Sequence, residues 1–240
     1  IKLSESRIDF SVVDCVVSIG GDGTLLELIT QVKASGTPVL GVNAGRLGFL
    51  ATTPISESKE IIKGILEKNR KYDRRSLIRL ESQTDLFKGQ NFALNEFAIT
   101  KRDTSSMIVI KAYINGEFLN SYWADGLIVS TPTGSTGYSL SAGGPLVMPA
   151  TNNFIITPIN PHSLTVRPVV VPDDCEIRLK VEGRAKKVLL SLDHRSVSVE
   201  TGLDFVLKKE RFQINLLKLE SYSYFNSLRN KLNWGLDSRN

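Results

Sequence analysis

Cys15-Val16-Val17-Ser18-Ile19-Gly20-Gly21-Asp22-Gly23-Thr24 decides the fold of the first part of the chain. An apolar, β-branched run breaks into a Gly-Gly-Asp-Gly turn and resumes as a helix. The run Cys15 to Ile19 is short and free of charge, which predicts a strand buried on both faces of a parallel sheet. Three glycines in four positions let the backbone turn sharply and approach a ligand closely. Thr24-Leu25-Leu26-Glu27 reads as a capping box, opening a helix to about Ala34 with Leu25, Leu28, Ile29 and Val32 on its apolar face. Gly36 and Pro38 end it.

A glycine turn at a helix N-terminus directs backbone N–H groups outward, where they suit phosphate. Asp22 is unusual in that setting, because a carboxylate repels bare phosphate unless a metal ion or a hydroxyl acceptor intervenes. The pairing of amides and acid suits phosphoryl transfer from a nucleotide, although a glycine turn standing alone also serves as a plain tight connection. No Lys-Ser/Thr follows it and no G-x-G-x-x-G is present, so it is neither a Walker A loop nor a dinucleotide fingerprint.

Strand and helix go on alternating: a strand Val39 to Val42, then a helix from Ser56 to about Lys68. From Ser76 the pattern changes to short strand-like runs at Leu77–Glu81, Phe92–Thr100, Met107–Ile114, Leu127–Ser130, Ile177–Glu182, Val188–Leu192, Val197–Glu200, Phe205–Leu207 and Phe212–Leu217. Asn115-Gly116 marks a two-residue hairpin. The expected fold is α/β plus all-β, a Rossmann-like domain over residues 1–75 and an antiparallel β-sandwich domain over 76–218. The tail places Phe225, Leu228 and Leu232 on one helical stripe. A doubly wound sheet ordinarily has a strand and a helix before its first phosphate turn. Only fourteen residues precede Cys15, so the first domain is expected to lack both.

The 240 residues carry 30 Lys and Arg against 25 Asp and Glu, a net charge of +5. The basic clusters at 68–75, 184–187 and 208–211 lack interleaved aromatics or a binding module, so they read as solvated faces, and no nucleic-acid partner is expected. A mild basic excess favours anionic small molecules such as nucleotides. No stretch has the length and apolarity to span a bilayer and no signal peptide opens the chain, so no membrane partner is expected. Two distant cysteines, Cys15 and Cys175, lack metal-ligand spacing and suit reduced thiols in the cytoplasm.

Four further stretches carry candidate chemistry. Gly41 to Leu50 follows a strand at the carboxyl edge of the sheet, where ligands sit; Asn43 and Arg46 suit a polar ligand, and Leu47 and Phe49 a base. Asn95-Glu96 interrupts a strand, so one of the two side chains must point inward or at a ligand; ribose hydroxyls or an adenine edge would suit them. Asp125 to Pro145 is dense in hydroxyls and glycine with a carboxylate at its head, a composition of ordered ligand-binding loops. Thr157 to Pro168 contains His162, read as a structural histidine, and His194 lies in a later turn.

Gly20-Gly21-Asp22-Gly23-Thr24, Gly41 to Leu50, Asn95-Glu96, Asp125 to Pro145 and Thr157 to Pro168 occur in the order found in the NAD kinase family, and from about Val16 to Leu217 the chain resembles that family. Lipid kinases and phosphofructokinases share the glycine turn, but not the five stretches together. The resemblance implies transfer of the γ-phosphoryl group of ATP to the adenosine-ribose 2′-hydroxyl of NAD, with a divalent metal such as Mg²⁺ and no direct protein ligand to it assigned. It implies that the tail, 219–240, completes the first domain. By the same resemblance Asp22 is the essential acid, which accepts the 2′-hydroxyl proton or holds the hydroxyl in line. Gly20, Gly21, Gly23 and Thr24 would lie near ATP phosphates. Asp22, Gly23, Asn43, Phe49, Asn95, Glu96, Thr133, Thr136, Gly137, Tyr138 and His194 would contact NAD. Asp125 and Asn160 match positions where a neighbouring subunit reaches into the NAD site, so a homo-oligomer, dimer or tetramer, is implied. Gly137 stands where alanine is usual, and Asp193-His194 replaces a commoner Asp-Gly. A lipid kinase and an inactive NAD(P)-binding regulator are the alternative readings.

Overall fold

The computed structural model describes residues 8–45, 48–66, 71–102, 107–183, 186–218 and 222–233. In chain order the elements are β1 (Val16–Gly20), α1 (Asp22–Val32), β2 (Val39–Asn43), β3 (Thr53–Pro54), α2 (Ser58–Leu66), β4 (Lys71–Arg75) and β5 (Ile78–Glu81). Next come β6 (Phe92–Ala93), β7 (Glu96–Lys101), β8 (Ile108–Ile114), β9 (Glu117–Ala124), β10 (Gly126–Ser130) and the single-turn α3 (Tyr138–Ser141). The remainder is β11 (Asn153–Ile159), β12 (Val169–Pro172), β13 (Ile177–Glu182), β14 (Lys187–Leu192), β15 (Arg195–Glu200), β16 (Asp204–Lys209), β17 (Ile214–Lys218) and α4 (Tyr224–Leu232). The chain divides into two compact units, Ile1–Arg74 with Phe212–Asn240, and Arg75–Arg211.

The first unit is built on a sheet ordered β1-β2-β17-β4, with β3 beside β2. β1 and β2 run parallel from Val16↔Val39 to Gly20↔Asn43, and β17 pairs parallel to β2 through Leu216↔Val39. All five residues of β2 are buried, as expected of a central parallel strand. β1 differs from the expectation. Among the described residues it pairs only with β2, and Val17 is 40% and Ile19 60% exposed while Ser18 is buried. Cys15 lies just before β1 and is half-buried, and no disulfide joins it to Cys175.

α1 buries Leu25, Leu28, Ile29 and Val32 together with Leu26. At roughly 1.5–3 kcal/mol for each large side chain, this stripe outweighs the cost of about 1 kcal/mol for Gly23 inside the helix. The start of α1 corrects the capping-box reading. The helix opens at Asp22 with Gly21 as its N-cap and no side-chain cap bond, so Thr24 already lies within the first turn. Gly20, at φ 157°, makes the bend possible; a Cβ there would lie 2.5 Å from Thr24 Oγ1.

The second unit holds two six-stranded antiparallel sheets, ordered β12-β11-β10-β7-β14-β15 and β6-β5-β16-β13-β8-β9. Their inner faces share one core in which Phe97, Ile99, Leu127, Phe154 and Leu190 accompany Ile78, Ile110, Leu179, Phe205 and Leu207. Phe97 and Phe205 lie 6.1 Å apart between ring centroids. Asn115 (φ 50°) and Gly116 (φ 85°) turn the β8–β9 hairpin. The run Phe92–Thr100 is not one strand. It breaks after Ala93, and its halves, β6 and β7, belong to different sheets. β11 and β12 were not expected from the sequence, and Thr157-Pro158 lies within β11.

Candidate active site

In the first unit the chemistry gathers on Asp22. Its position at the first residue of α1 points the carboxylate at the segment following β2. Phe49 N–H donates to Oδ2 at 2.8 Å, and Leu50 and Ala51 N–H donate to Oδ1 at 3.1 and 2.9 Å. Three consecutive amides converging on one anion form a nest, and the acid is held without the help of any particular side chain. Gly48 permits this approach: a Cβ at that position would lie 1.9 Å from Asp22 Oδ1. The carboxylate still has solvent access, at 27% exposure.

Two lysines near the end of the chain support the arrangement. Lys218, 4% exposed at the end of β17, donates to Leu50 O at 3.3 Å and Thr52 Oγ1 at 3.1 Å, and lies 4.3 Å from the centroid of Tyr222. It thereby pins the nest from behind. Lys231, in the last turn of α4, stands 3.9 Å from Asp22 Oδ2 and 4.6 Å from the centroid of Phe49. Phe49 is buried, and Asn43 turns its Oδ1 to Gly45 N–H at 2.6 Å. Asn43 is thus engaged with its own turn. Arg46 and Leu47 lie outside the described residues.

In the second unit the centre is the break between β6 and β7. Asp193, at the tip of the β14–β15 hairpin with φ 53°, accepts the N–H groups of Leu94, Asn95 and Glu96 at 2.9, 2.7 and 3.3 Å. These bonds take the amides a continuous strand would have offered to a neighbour, which explains the break. Arg195 secures the other side of it, donating to Gln90 O at 2.6 Å and to Phe92 O. Thr131 donates through N–H to Asn95 O at 2.8 Å and through Oγ1 to Leu94 O at 2.5 Å.

Glu96 turns inward. Its carboxyl accepts the Tyr138 N–H, while Oε2 is buried with no hydrogen-bond partner among the described residues. Burial, with the neighbouring Asp193 charge adding to it, pushes Glu96 up to about 8. Burial also raises Asp193, against the pull of three amides and the Arg195 guanidinium. Asp193 is buried too, but its anion accepts three amide N–H groups while Glu96 Oε2 accepts none, so the proton of the pair rests on Glu96. A Cβ on Gly137 would lie 3.1 Å from Glu96 Oε2. Around this pair stand Thr133, whose Oγ1 accepts from the buried Arg75 at 3.1 Å, Thr136, the half-exposed Tyr138 and the exposed His194.

Asp125 and Asn160 form a separate cluster. Asn160 Nδ2 donates to Asp125 Oδ2 at 3.2 Å, and Lys101 Nζ lies 2.6 Å from Oδ1. The bond from Lys101, then that from Asn160, holds Asp125 below the usual carboxylate range. Asp125 precedes the first residue of β10, whereas Ser130 at its far end pairs with Glu96. At about 3.4 Å per residue, the length of β10 separates the two clusters within one chain. The supporting roles of Asp193, Arg195, Lys218 and Lys231 were not found from the sequence. Backbone-binding carboxylates and lysines returning from the tail leave no spacing signature.

Comparison with known proteins gives a consistent result. Residues 5–71 match the family model of the ATP-NAD kinase N-terminal domain, and residues 94–206 that of the ATP-NAD kinase C-terminal domain. The NAD kinase of Cytophaga hutchinsonii is 56% identical over 235 residues, covering 98% of this chain and 80% of that protein. The NAD kinase of Flavobacterium psychrophilum is 50% identical over 229 residues, covering 95% and 78%. Among solved structures, an Archaeoglobus fulgidus NAD kinase in complex with ATP superposes with a TM-score of 0.82 at 30% identity, over 96% of this chain and 87% of that one. Yeast NADH kinase complexed with NADH gives 0.85 at 28% identity, over 94% and 67%.

Proposed function

The chain belongs to the NAD kinase family, and from that premise we propose how its residues divide the work of phosphorylating NAD. The enzyme is a phosphotransferase with an alcohol acceptor: the γ-phosphoryl group of ATP passes to the adenosine-ribose 2′-hydroxyl of NAD and gives NADP. Matches in both units and across nearly the whole chain set aside the lipid-kinase and inactive-regulator readings.

We assign Asp22 to the acceptor hydroxyl. The observation that carries the assignment is the amide nest. Oδ1 accepts two N–H groups and Oδ2 only one, so Oδ2 keeps a lone pair for the incoming O–H. In the transfer the ribose oxygen bonds to the γ-phosphorus, the bridging bond to the β-phosphate breaks, ADP departs, and the hydroxyl proton passes toward Oδ2. Because the transition state is loose, fixing the hydroxyl in line contributes more than base strength. A carboxylate held by three backbone donors suits that role. Gly20, Gly21, Gly23 and Thr24 are assigned to ATP phosphates, supported by the outward N–H groups at the start of α1.

Asn95, Glu96, Gly137, Tyr138, Thr133 and Thr136 are assigned to NAD, with Phe49, Asn43 and His194 as further contacts. A buried, protonated Glu96 is a hydrogen-bond donor as well as an acceptor, which suits a ribose hydroxyl. Among the described residues no three His, Cys, Asp or Glu side chains come together to hold a metal. We assign the divalent ion to the triphosphate, as part of the substrate. Asp125 and Asn160, remote from Glu96 along β10, are assigned to the NAD site of a neighbouring subunit in a homo-oligomer. Trp123 and Leu164, 54% and 89% exposed beside them in sequence, support an interface there. No described helix is long and apolar enough to cross a membrane. Two cysteines not joined by a disulfide support a cytoplasmic setting.

The test is NADP formation from ATP, Mg²⁺ and NAD by the parent chain and by Asp22→Asn. Turnover by the parent with loss of at least about 10³-fold in the variant, NAD binding being retained, supports the assignment. Equal rates would sink it.

A further inference from the structure

We propose that Lys231 binds the phosphoryl group undergoing transfer; the inference rests on the assignment of Asp22 to that transfer. The argument begins with charge. Triphosphate brought up to the Asp22 carboxylate places like charges together, and the site needs a cation that can face both. The tail supplies two candidates, and their surroundings separate them. Lys218 is buried, with its ammonium on Leu50 O and Thr52 Oγ1, so it is committed to the backbone of the nest. Lys231 is one-third exposed, and among the described residues its ammonium makes no hydrogen bond. Its nearest anion, Asp22 Oδ2, lies 3.9 Å away, beyond hydrogen-bond distance.

That spacing is not what a structural ion pair requires. Asp22 is already oriented by three amides and does not need Lys231 for its placement. The Phe49 ring, 4.6 Å from the ammonium, steers the stem of Lys231 and takes none of its three N–H donors into a hydrogen bond with an oxygen. A flexible ammonium positioned over an aromatic face beside the acid, hydrogen-bonded to none of the described residues, fits a phosphate oxygen. Its contact with that oxygen would offset the repulsion from Asp22 as charge redistributes during transfer.

The experiment compares Lys231→Met and Lys231→Arg in steady-state kinetics against ATP and NAD separately, with ATP binding by calorimetry across ionic strength. Methionine keeps an apolar stem against Phe49 and removes the charge. The expected result for Lys231→Met is a fall of at least tenfold in kcat/KM for ATP, with KM for NAD within about twofold and the melting temperature unchanged. Lys231→Arg is expected to recover to within about threefold, and ATP binding by the methionine variant to lose part of its salt dependence. Unchanged kcat/KM for ATP in Lys231→Met would overturn the proposal and leave Lys231 as packing on Phe49. Loss accompanied by a lower melting temperature and no recovery in arginine would overturn it too, as a structural effect. Asp22→Asn, run alongside, separates the two levels: if it keeps full turnover, the assignment beneath the inference fails, whatever Lys231 does.

Discussion

The Asp193 carboxylate accepts the backbone N–H of Asn95 at 2.7 Å, so a hairpin tip fixes a dipeptide lying 98 positions earlier in the chain. With Leu94 and Glu96 the carboxylate takes three consecutive amides, and Asp22 does the same with Phe49, Leu50 and Ala51. Each unit therefore uses one aspartate to arrest a segment of irregular backbone at its functional residues. The device satisfies amides that would otherwise be buried without partners, and it fixes geometry without depending on the side chains of the arrested segment.

Replacing Asp193 by alanine leaves those three amides without their acceptor. The expected loss is roughly 3 kcal/mol or more of unfolding free energy, read by urea denaturation, together with a raised KM for NAD as Asn95 and Glu96 move. Asp193→Asn keeps one oxygen acceptor and should fall between alanine and the parent. A stability equal to the parent in both variants would show that the arrest of β6 and β7 has another cause.

Gly48→Ala tests the nest around Asp22 without touching the acid. The added methyl would stand 1.9 Å from Oδ1 and 2.6 Å from Cγ, so the carboxylate has to leave its amides. Turnover should fall by about 10²-fold or more while circular dichroism stays that of a folded chain, since one surface-accessible side chain is displaced. Activity near that of the parent would mean that the nest does not set the working position of Asp22.

What the sequence disclosed follows from what kind of group does the work. The Gly-Gly-Asp-Gly turn and Asn115-Gly116 are legible because they need particular φ values, and Asp22 because an acid among phosphate-binding amides is unusual. The α/β-to-β change at Ser76 shows as a change of period. The partners of Asp22 and Asp193 are invisible by the same logic: any residue supplies an N–H, so Phe49 to Ala51 and Leu94 to Glu96 carry no mark of it. Lys218 and Lys231 reach the site through the pairing of β17 with β2, a tertiary fact. β11 was hidden by Thr157-Pro158, which resembles turn chemistry. The proline is tolerated because β12 pairs only with Asn153 to Ile156, leaving that end of β11 without a second neighbour.

If Asp125 serves the NAD site of a neighbouring subunit, two dead variants can repair each other. Asp22→Asn supplies an intact Asp125, and Asp125→Ala an intact Asp22. After subunit exchange in a two-fold assembly, half of the molecules are mixed and each holds one complete site, so about a quarter of parental activity should return. Activity in the mixture equal to the mean of the two separate variants would count against a shared site.

Glu96 makes stability depend on pH with a defined sign. Its folded value is raised from 4.5 to about 8 by burial and by the Asp193 charge. Between those values the folded chain holds a proton that the unfolded chain has released, so unfolding free energy falls as pH rises through the window. The stabilising contribution is complete below about pH 4.5 and gone above about pH 8, with a ceiling of about 5 kcal/mol at 1.36 kcal/mol per unit. Glu96→Gln removes this titration while keeping an oxygen to accept the Tyr138 N–H. The parent should therefore lose melting temperature relative to the glutamine variant between pH 5 and pH 8. The contribution of Asp193 is common to both chains and largely cancels in the difference. Parallel melting curves across that range would mean that Glu96 ionises alike in the folded and unfolded states, and its role as a hydrogen-bond donor to ribose would go with it.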